Sequence, residues 1–389
     1  MEIKSSMPES SSEFKIAITG MLLMVVVIGL GRFALTPQLP HMILEKQITL
    51  TQASLVAAAN LLGYLIGSLE TIRARKYLIF RLKGGLIATI VILFVSGVAV
   101  NHTWDFGINL LLRFLAGFFS AWTFVLASAW VQQRLKDEHV LRTVAFSGPG
   151  VGIMLNGLIA LGLDMGHTSA HFNWMVYGAV GLIIYLLICK AMPTTLEAEQ
   201  EHQRFPLSTD FIYLMASYCI CGISYILPAT FLSKLAFDQF PGSILADTFW
   251  PLYGLAVIGS MVWLGFQKIK TPQRWLAMIF CMQGFGILTC VFIPGIPGLL
   301  TGTLFVGGAF IAILQLTMHL GGRLAPGHIR AMSGVLTTTF AAGQFLGVMF
   351  SAFSTEIWAS IIPAMVVAAV GSFVAAYLAN SIIILAETG

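Results

Sequence analysis

Runs of about 20 apolar residues, separated by short polar breaks, recur twelve times along the 389-residue chain. A run of that length spans a bilayer as one helix, so this feature constrains the fold more than any other. The predicted spans cover 17–41, 51–71, 84–101, 106–131, 143–163, 171–190, 209–234, 246–266, 275–294, 298–320, 332–354 and 358–384. Only 10% of the residues are charged, against roughly 25% in a soluble domain. The chain is therefore predicted to be an all-α polytopic membrane protein whose helices satisfy their own backbone groups in lipid.

Charge gives the orientation. With both termini placed in the cytoplasm, 17 of the 21 Lys and Arg residues fall on that side, only Lys46 and Lys234 fall outside, and Arg32 and Arg113 lie within spans. Such an excess marks cytoplasmic loops. The net charge of +4 is thus a topology signal, and nucleic acid is excluded as a partner. The polar, partly acidic opening "MEIKSSMPESSSEFK" lacks the basic start of a secretory signal and reads as a cytoplasmic tail over 1–16. All five cysteines fall within predicted spans and read as packing residues; no metal and no cofactor is expected, and the chain is expected to act as a monomer.

The polar stretch 191–208 divides the spans six and six, giving a first bundle at 17–190, a linker, a second bundle at 209–384 and a tail at 385–389. A shift of 191 residues superposes Gly31 on Gly222, Gly63 on Gly254, Gly107 on Gly298, Gly117 on Gly308, Gly152 on Gly343 and Pro37 on Pro228. Because the repeat runs in one direction with an even number of spans, it predicts two pseudo-symmetric six-helix bundles related by an axis along the membrane normal, with a cavity between them.

Three motifs carry a family resemblance. "RFLAGFFSA" at 113–121 has an intramembrane Arg followed four residues later by Gly117. "GPGVG" at 148–152 contributes Gly148, Pro149 and Gly152, and "GSLETIRARK" at 67–76 contributes Gly67, Arg75 and Lys76. Together they resemble the major facilitator superfamily over essentially the whole chain, and "GLGRFALTPQLPHM" at 29–42 is similar to its YbfB/YjiJ branch. The resemblance implies the twelve-helix fold of that superfamily, a multi-pass place in a bacterial inner membrane, and secondary transport by alternating access. It also implies gating and helix-packing roles for Gly67, Arg75, Lys76, Gly117, Gly148, Pro149 and Gly152. The third motif departs from the family pattern at Thr71 and Ala74, with Glu70 one position early. "GPGVG" is similar to a motif of antiporters, which favours export by proton antiport; proton-coupled uptake of an organic anion is the alternative.

The residues themselves add a site. An arginine near the bilayer centre costs about 2.5–3.5 kcal/mol and needs a wet cavity or a partner. Arg32 and Arg113 lie roughly 12 and 10 Å below the outer ends of their spans at the rise of an α-helix, and no acidic residue is predicted at that depth. Two such guanidinium forks suit a carboxylate or phosphate on a small amphipathic substrate; a structural role within the helices is the alternative for each. Arg32 falls opposite Ile223 in the repeat, so its charge is asymmetric. Asn60, Tyr64, Trp122, Asn156, Tyr218, Tyr225, Tyr253, Gln315 and Gln344 are candidates for the same cavity, with amide and aromatic walls suited to an amphipathic molecule. His319 is the candidate proton carrier, because imidazole titrates near neutral pH; Glu70 is the second. No nucleotide-binding Gly-Lys-Ser/Thr loop, HExxH site or Ser/His pairing occurs in the spans. That argues against a membrane-embedded enzyme, and the loops are too short for the soluble domain of a sensor.

Overall fold

The structure, a computed structural model, describes residues 9–383 apart from 75, 101–105, 167, 197–204, 268 and 359. Among the described residues there is no strand, and twelve helices are long and apolar enough to cross a membrane. These are α1 (Ser12–Leu44), α2 (Leu55–Arg73), α3 (Leu78–Val98), α4 (Phe106–Arg134), α5 (His139–Met165), α6 (Ala170–Ile188), α7 (Thr209–Gln239), α8 (Ile244–Gly265), α9 (Pro272–Phe292), α10 (Ile296–Leu324), α11 (Ala331–Trp358) and α12 (Ile362–Asn380). Each predicted span falls on one of them. Several helix starts are marked by side chains that take up otherwise unpaired N–H groups. Ser208 accepts from the Phe211 N–H at 3.1 Å ahead of α7, and Thr49 and Gln52 form a reciprocal capping box. The side of the bundle that carries the ends of the described chain is called the terminal face below, and the other side the opposite face.

The repeat expected from the glycines reappears as a repeat of packing. In the first half α2 packs on α4, α3 on α4 and α6, and α1 on α5; in the second, α8 packs on α10, α9 on α10 and α12, and α7 on α11. The halves meet along two seams, α2 against α11 and α5 against α8. The operation that carries α2 to α8 and α11 to α5 exchanges these seams, as a two-fold axis between parallel repeats requires.

Two helices are irregular where they line the interface. α5 breaks at Ser147, just ahead of Gly148 and Pro149, because proline has no N–H to continue the ladder. α1 is interrupted more deeply. Val25–Leu30 forms a π-helix, with Gly31 donating to Val26 at 2.8 Å and Phe33 to Ile28 at 3.0 Å, and a turn over 31–34 then leads into the last helical piece, Leu35–Leu44. Arg32 lies in that turn.

The irregularity has a sequence origin. Gly29 packs on Gly152 so closely that a Cβ on either would strike the other's backbone, and Gly222 and Gly343 make the matching contact of α7 with α11. Gly152 and Gly343 are related by the 191-residue shift, but Gly29 and Gly222 are not. Pro37 lies eight positions after Gly29, whereas Pro228 lies six after Gly222. α1 thus holds two residues more than α7 between the close contact and the proline, and the π-segment and turn absorb them. Counted from Pro37, Arg32 stands opposite Ile223; counted from the glycine contact it stands opposite Tyr225, so Arg32 falls in the stretch where the two halves lose a common register.

Candidate functional site

Arg32 stands between two inner chambers, the outer of which leads on to a third pocket. From the opposite face, a pocket of about 160 Å³ lies between α1, α2 and α7, lined by Thr36, Leu39, Pro40, Phe231 and Lys234 among others. It shares Thr36, Leu39 and Thr230 with a chamber of about 30 Å³ that reaches Arg32 and Asn60. On the other side of Arg32 a chamber of about 20 Å³ is bounded by Tyr64, Phe124, Pro149, Tyr218, Thr337 and Phe340. Each inner chamber has room for a water or two, so the centre is closed around the guanidinium.

Arg32 is 7% exposed, and its guanidinium has aromatic and amide company and no carboxylate among the described residues that line either inner chamber. Its Cζ lies 4.5 Å from the centroid of the Tyr64 ring and 5.4 Å from that of Phe33, distances at which a cation is attracted to a ring face. One Nη donates to the Gln344 Oε1 of α11, which ties the first half to the second. The other end of that amide, Gln344 Nε2, is buried without a partner, as is the hydroxyl of Thr337. Beside them Tyr225 stacks on Phe310 at 4.2 Å and Tyr218 on Phe340 at 4.5 Å, while Tyr253 stacks on Trp250. Phe33, next in the turn, packs against Tyr225, Trp250 and Phe310.

A polar chain braces the turn from behind. Asn156 of α5 donates through Nδ2 to the Gly29 carbonyl at 2.7 Å, and its Oδ1 accepts from the Trp250 indole of α8 at 2.8 Å. Its backbone carbonyl accepts from the Tyr177 hydroxyl, which accepts from Gln38 Nε2; Gln38 Oε1 in turn accepts from Asn173. Asn156 therefore holds the irregular part of α1 and crosses to the other half, and it does not open into the chambers.

Several sequence candidates are not brought to Arg32. Arg113, 4% exposed, points into the first half: its Nη2 donates to Ser96 and its Cζ lies 4.2 Å from the Trp174 ring centroid. It lines none of the three pockets, because α4 turns that face toward α3 and α6. Asn60 lines the 30 Å³ chamber but spends its Nδ2 on the Arg113 carbonyl at 3.0 Å. Trp122 lies nearer the terminal face under the guanidinium of Arg81, 4.9 Å away, and that same Arg81 pairs with Glu70. Gln315 and His319 do share one face of α10, as their spacing predicts, yet they line a separate cavity on the terminal side with His139 and Arg142.

The motif glycines all mark close approaches. A Cβ on Gly67 would meet Phe118, on Gly117 Asn60, on Gly148 Met21 and on Gly152 Gly29, each time at backbone atoms; Pro149 lines the smaller chamber. Lys76 is exposed, and Arg75 lies outside the described residues. Sequence reasoning missed Phe33, Thr337, Phe310, Phe340 and Trp250. Their helices are apolar around most of their circumference, so periodicity assigns them no face. Gln38 alone left a signal, as an amide inside an apolar run.

Comparison with known proteins agrees with the architecture. A family model described as "Uncharacterised MFS-type transporter YbfB" matches residues 24–380. Among solved structures, the crystal structure of the human organic anion transporter MFSD10 (TETRAN) is similar over 96% of this chain and 100% of that one, with a TM-score of 0.68 and 14% identity. At that identity the likeness is one of fold. A search of curated proteins gave no significant match.

Proposed function

The chain belongs to the YbfB-type MFS transporters, and we propose that it is a secondary transporter that carries a small amphipathic anion past Arg32 by alternating access. The observation that carries this reading is the donor set around Arg32. A buried guanidinium without a carboxylate, an unpartnered Gln344 Nε2 and an unpartnered Thr337 hydroxyl offer hydrogen bonds that a carboxylate or similar oxyanion accepts. The rings around them suit an apolar body on the same molecule. Gln344 would exchange Arg32 for the substrate, so binding would release the link that joins the halves at the centre.

The terminal face is assigned to the cytoplasm by its excess of Lys and Arg, and the membrane to the bacterial inner membrane. Export coupled to proton entry is the direction favoured by the "GPGVG" stretch. His319, in a cavity on the terminal side, is the group that would pass the proton to that side; Glu70, already paired with Arg81, is the weaker choice.

The test is a ligand screen on purified protein followed by substitution. Organic acids, amino acids and lipophilic drugs are scored by the rise in unfolding temperature that a ligand of the folded state produces. For the compound found, Arg32→Ala is expected to weaken binding about 10- to 100-fold, the equivalent of ~1.5–3 kcal/mol for a hydrogen bond to a charged group. Arg32→Lys is expected to rescue little, since a point charge lacks the planar fork. Arg113→Ala is expected to lower stability without removing the ligand response. Undiminished affinity in Arg32→Ala would overturn the site, and accumulation in right-side-out but not inverted vesicles under a proton gradient would reverse the direction.

A further inference from the structure

The cavity that holds His319 is far larger than either chamber at Arg32. It measures about 490 Å³ and lies on the terminal side of the α5–α8 seam, lined by His139 and Arg142 from the first half and by Phe266, Gln315 and His319 from the second. No carboxylate is among its lining residues. Arg142 is anchored at the rim through a bond from Nη1 to the Lys136 carbonyl at 2.9 Å, and Asp137 acts on it from the preceding turn. Arg142 gives the lining its one permanent charge, and the His319 imidazole carries an N–H donor whatever its charge.

Gln315 supplies the discriminating feature. Its Nε2 donates to the Thr143 hydroxyl at 2.9 Å across the seam, while its Oε1 is buried with no partner. A buried carbonyl oxygen calls for a donor. A ligand that accepts hydrogen bonds through charged oxygens and donates one, as a hydroxyl does, satisfies this wall.

We propose that this cavity is a binding site for a phosphate that retains a P–OH, either inorganic phosphate or a phosphomonoester headgroup. Its charged oxygens accept from Arg142 and His319, and its hydroxyl donates to Gln315 Oε1. The donors come from both halves, so the bound phosphate clamps the terminal side of the seam and holds the transporter closed there. The site is separate from Arg32; it shares only His319 with the transport reading, and phosphate binding there does not rest on what passes Arg32.

Purified full-length protein in detergent is titrated with inorganic phosphate and, at matched ionic strength, with chloride and with sulfate, which has no hydroxyl at neutral pH. The unfolding temperature is expected to rise saturably with phosphate and less with sulfate. Arg142→Gln and His319→Gln are each expected to weaken the apparent affinity by about tenfold or more. Gln315→Leu is expected to bind phosphate and sulfate alike, while Arg32→Ala keeps the wild-type phosphate response. Nanodiscs with and without phosphatidic acid identify the source: stabilisation by the lipid beyond that by free phosphate assigns the headgroup, and a response to free phosphate alone assigns the soluble ion. Equal shifts with chloride and phosphate, or wild-type affinity in Arg142→Gln, would overturn the proposal. Because Arg32→Ala reads the other site, either reading can fail while the other stands.

Discussion

Arg32 brings a full charge into a wall of rings, and its surroundings offset the cost in two ways. A desolvated cation over an aromatic face gains roughly 2 kcal/mol, and the bond to Gln344 adds a charge-assisted contact. Arg113 meets the same need with Trp174 and Ser96, so two arginines that look alike in the sequence divide into one at the interface and one inside a half. Asn156 is the residue on which the support of the turn depends. Asn156→Leu strands both the Gly29 carbonyl and the Trp250 indole, bonded at 2.7 and 2.8 Å. At about 1–3 kcal/mol for each buried orphan, the unfolding temperature in detergent is expected to fall clearly. A variant as stable as the parent would show that the chain of hydrogen bonds does not hold α1.

At the level of the element, α1 differs from its partner in the repeat by two residues. An inserted residue in a helix is accommodated by a π-bulge, a device found at functional sites, and here it breaks the helix beside the only arginine that faces the inner chambers among their described lining residues. The glycine pairs fix where the insertion is felt. Gly152→Ala and Gly343→Ala each push a Cβ into a facing backbone, and overpacking of this kind costs about 1–3 kcal/mol. Both variants are expected to unfold earlier. Gly152→Ala is also expected to weaken ligand binding, because it displaces the piece of α1 that leads into Arg32; equal loss of binding in Gly343→Ala would deny α1 that special part.

For the whole molecule, alternating access requires the two seams to part in turn. On the terminal side the α2–α11 seam is joined by Thr338 donating to Ser68 at 2.9 Å, and α4 meets α11 through Gln132 donating to Ser333 at 3.1 Å. In a background without the five native cysteines, the pair Ser68→Cys and Thr338→Cys is expected to form a disulfide under mild oxidant. That bond should stop transport, and reductant should restore it. Transport that persists in fully cross-linked protein would mean that this seam need not open. Sidedness is checked separately: Tyr77→Cys, at a position 77% exposed on the terminal side, is expected to react with an impermeant maleimide in inverted vesicles and to stay unlabelled in intact cells.

The sequence by itself determined the number of crossings and the glycines that allow close packing. Each follows from local quantities, namely the length of an apolar run and the spacing of small residues. It could not assign faces. Helices that are apolar nearly all round give no periodic signal, so nothing in the residues alone set Arg32 apart from Arg113 or separated Gln315 and His319 from the central site. Nor was the π-segment legible, since "VVVIGL" reads as unbroken helix; its existence shows only when the Gly29–Gly152 contact is compared with Gly222–Gly343. Which charge meets the cavity was decided by rotation of α1 and α4 about their axes, and that rotation is set by packing against neighbours distant in the chain.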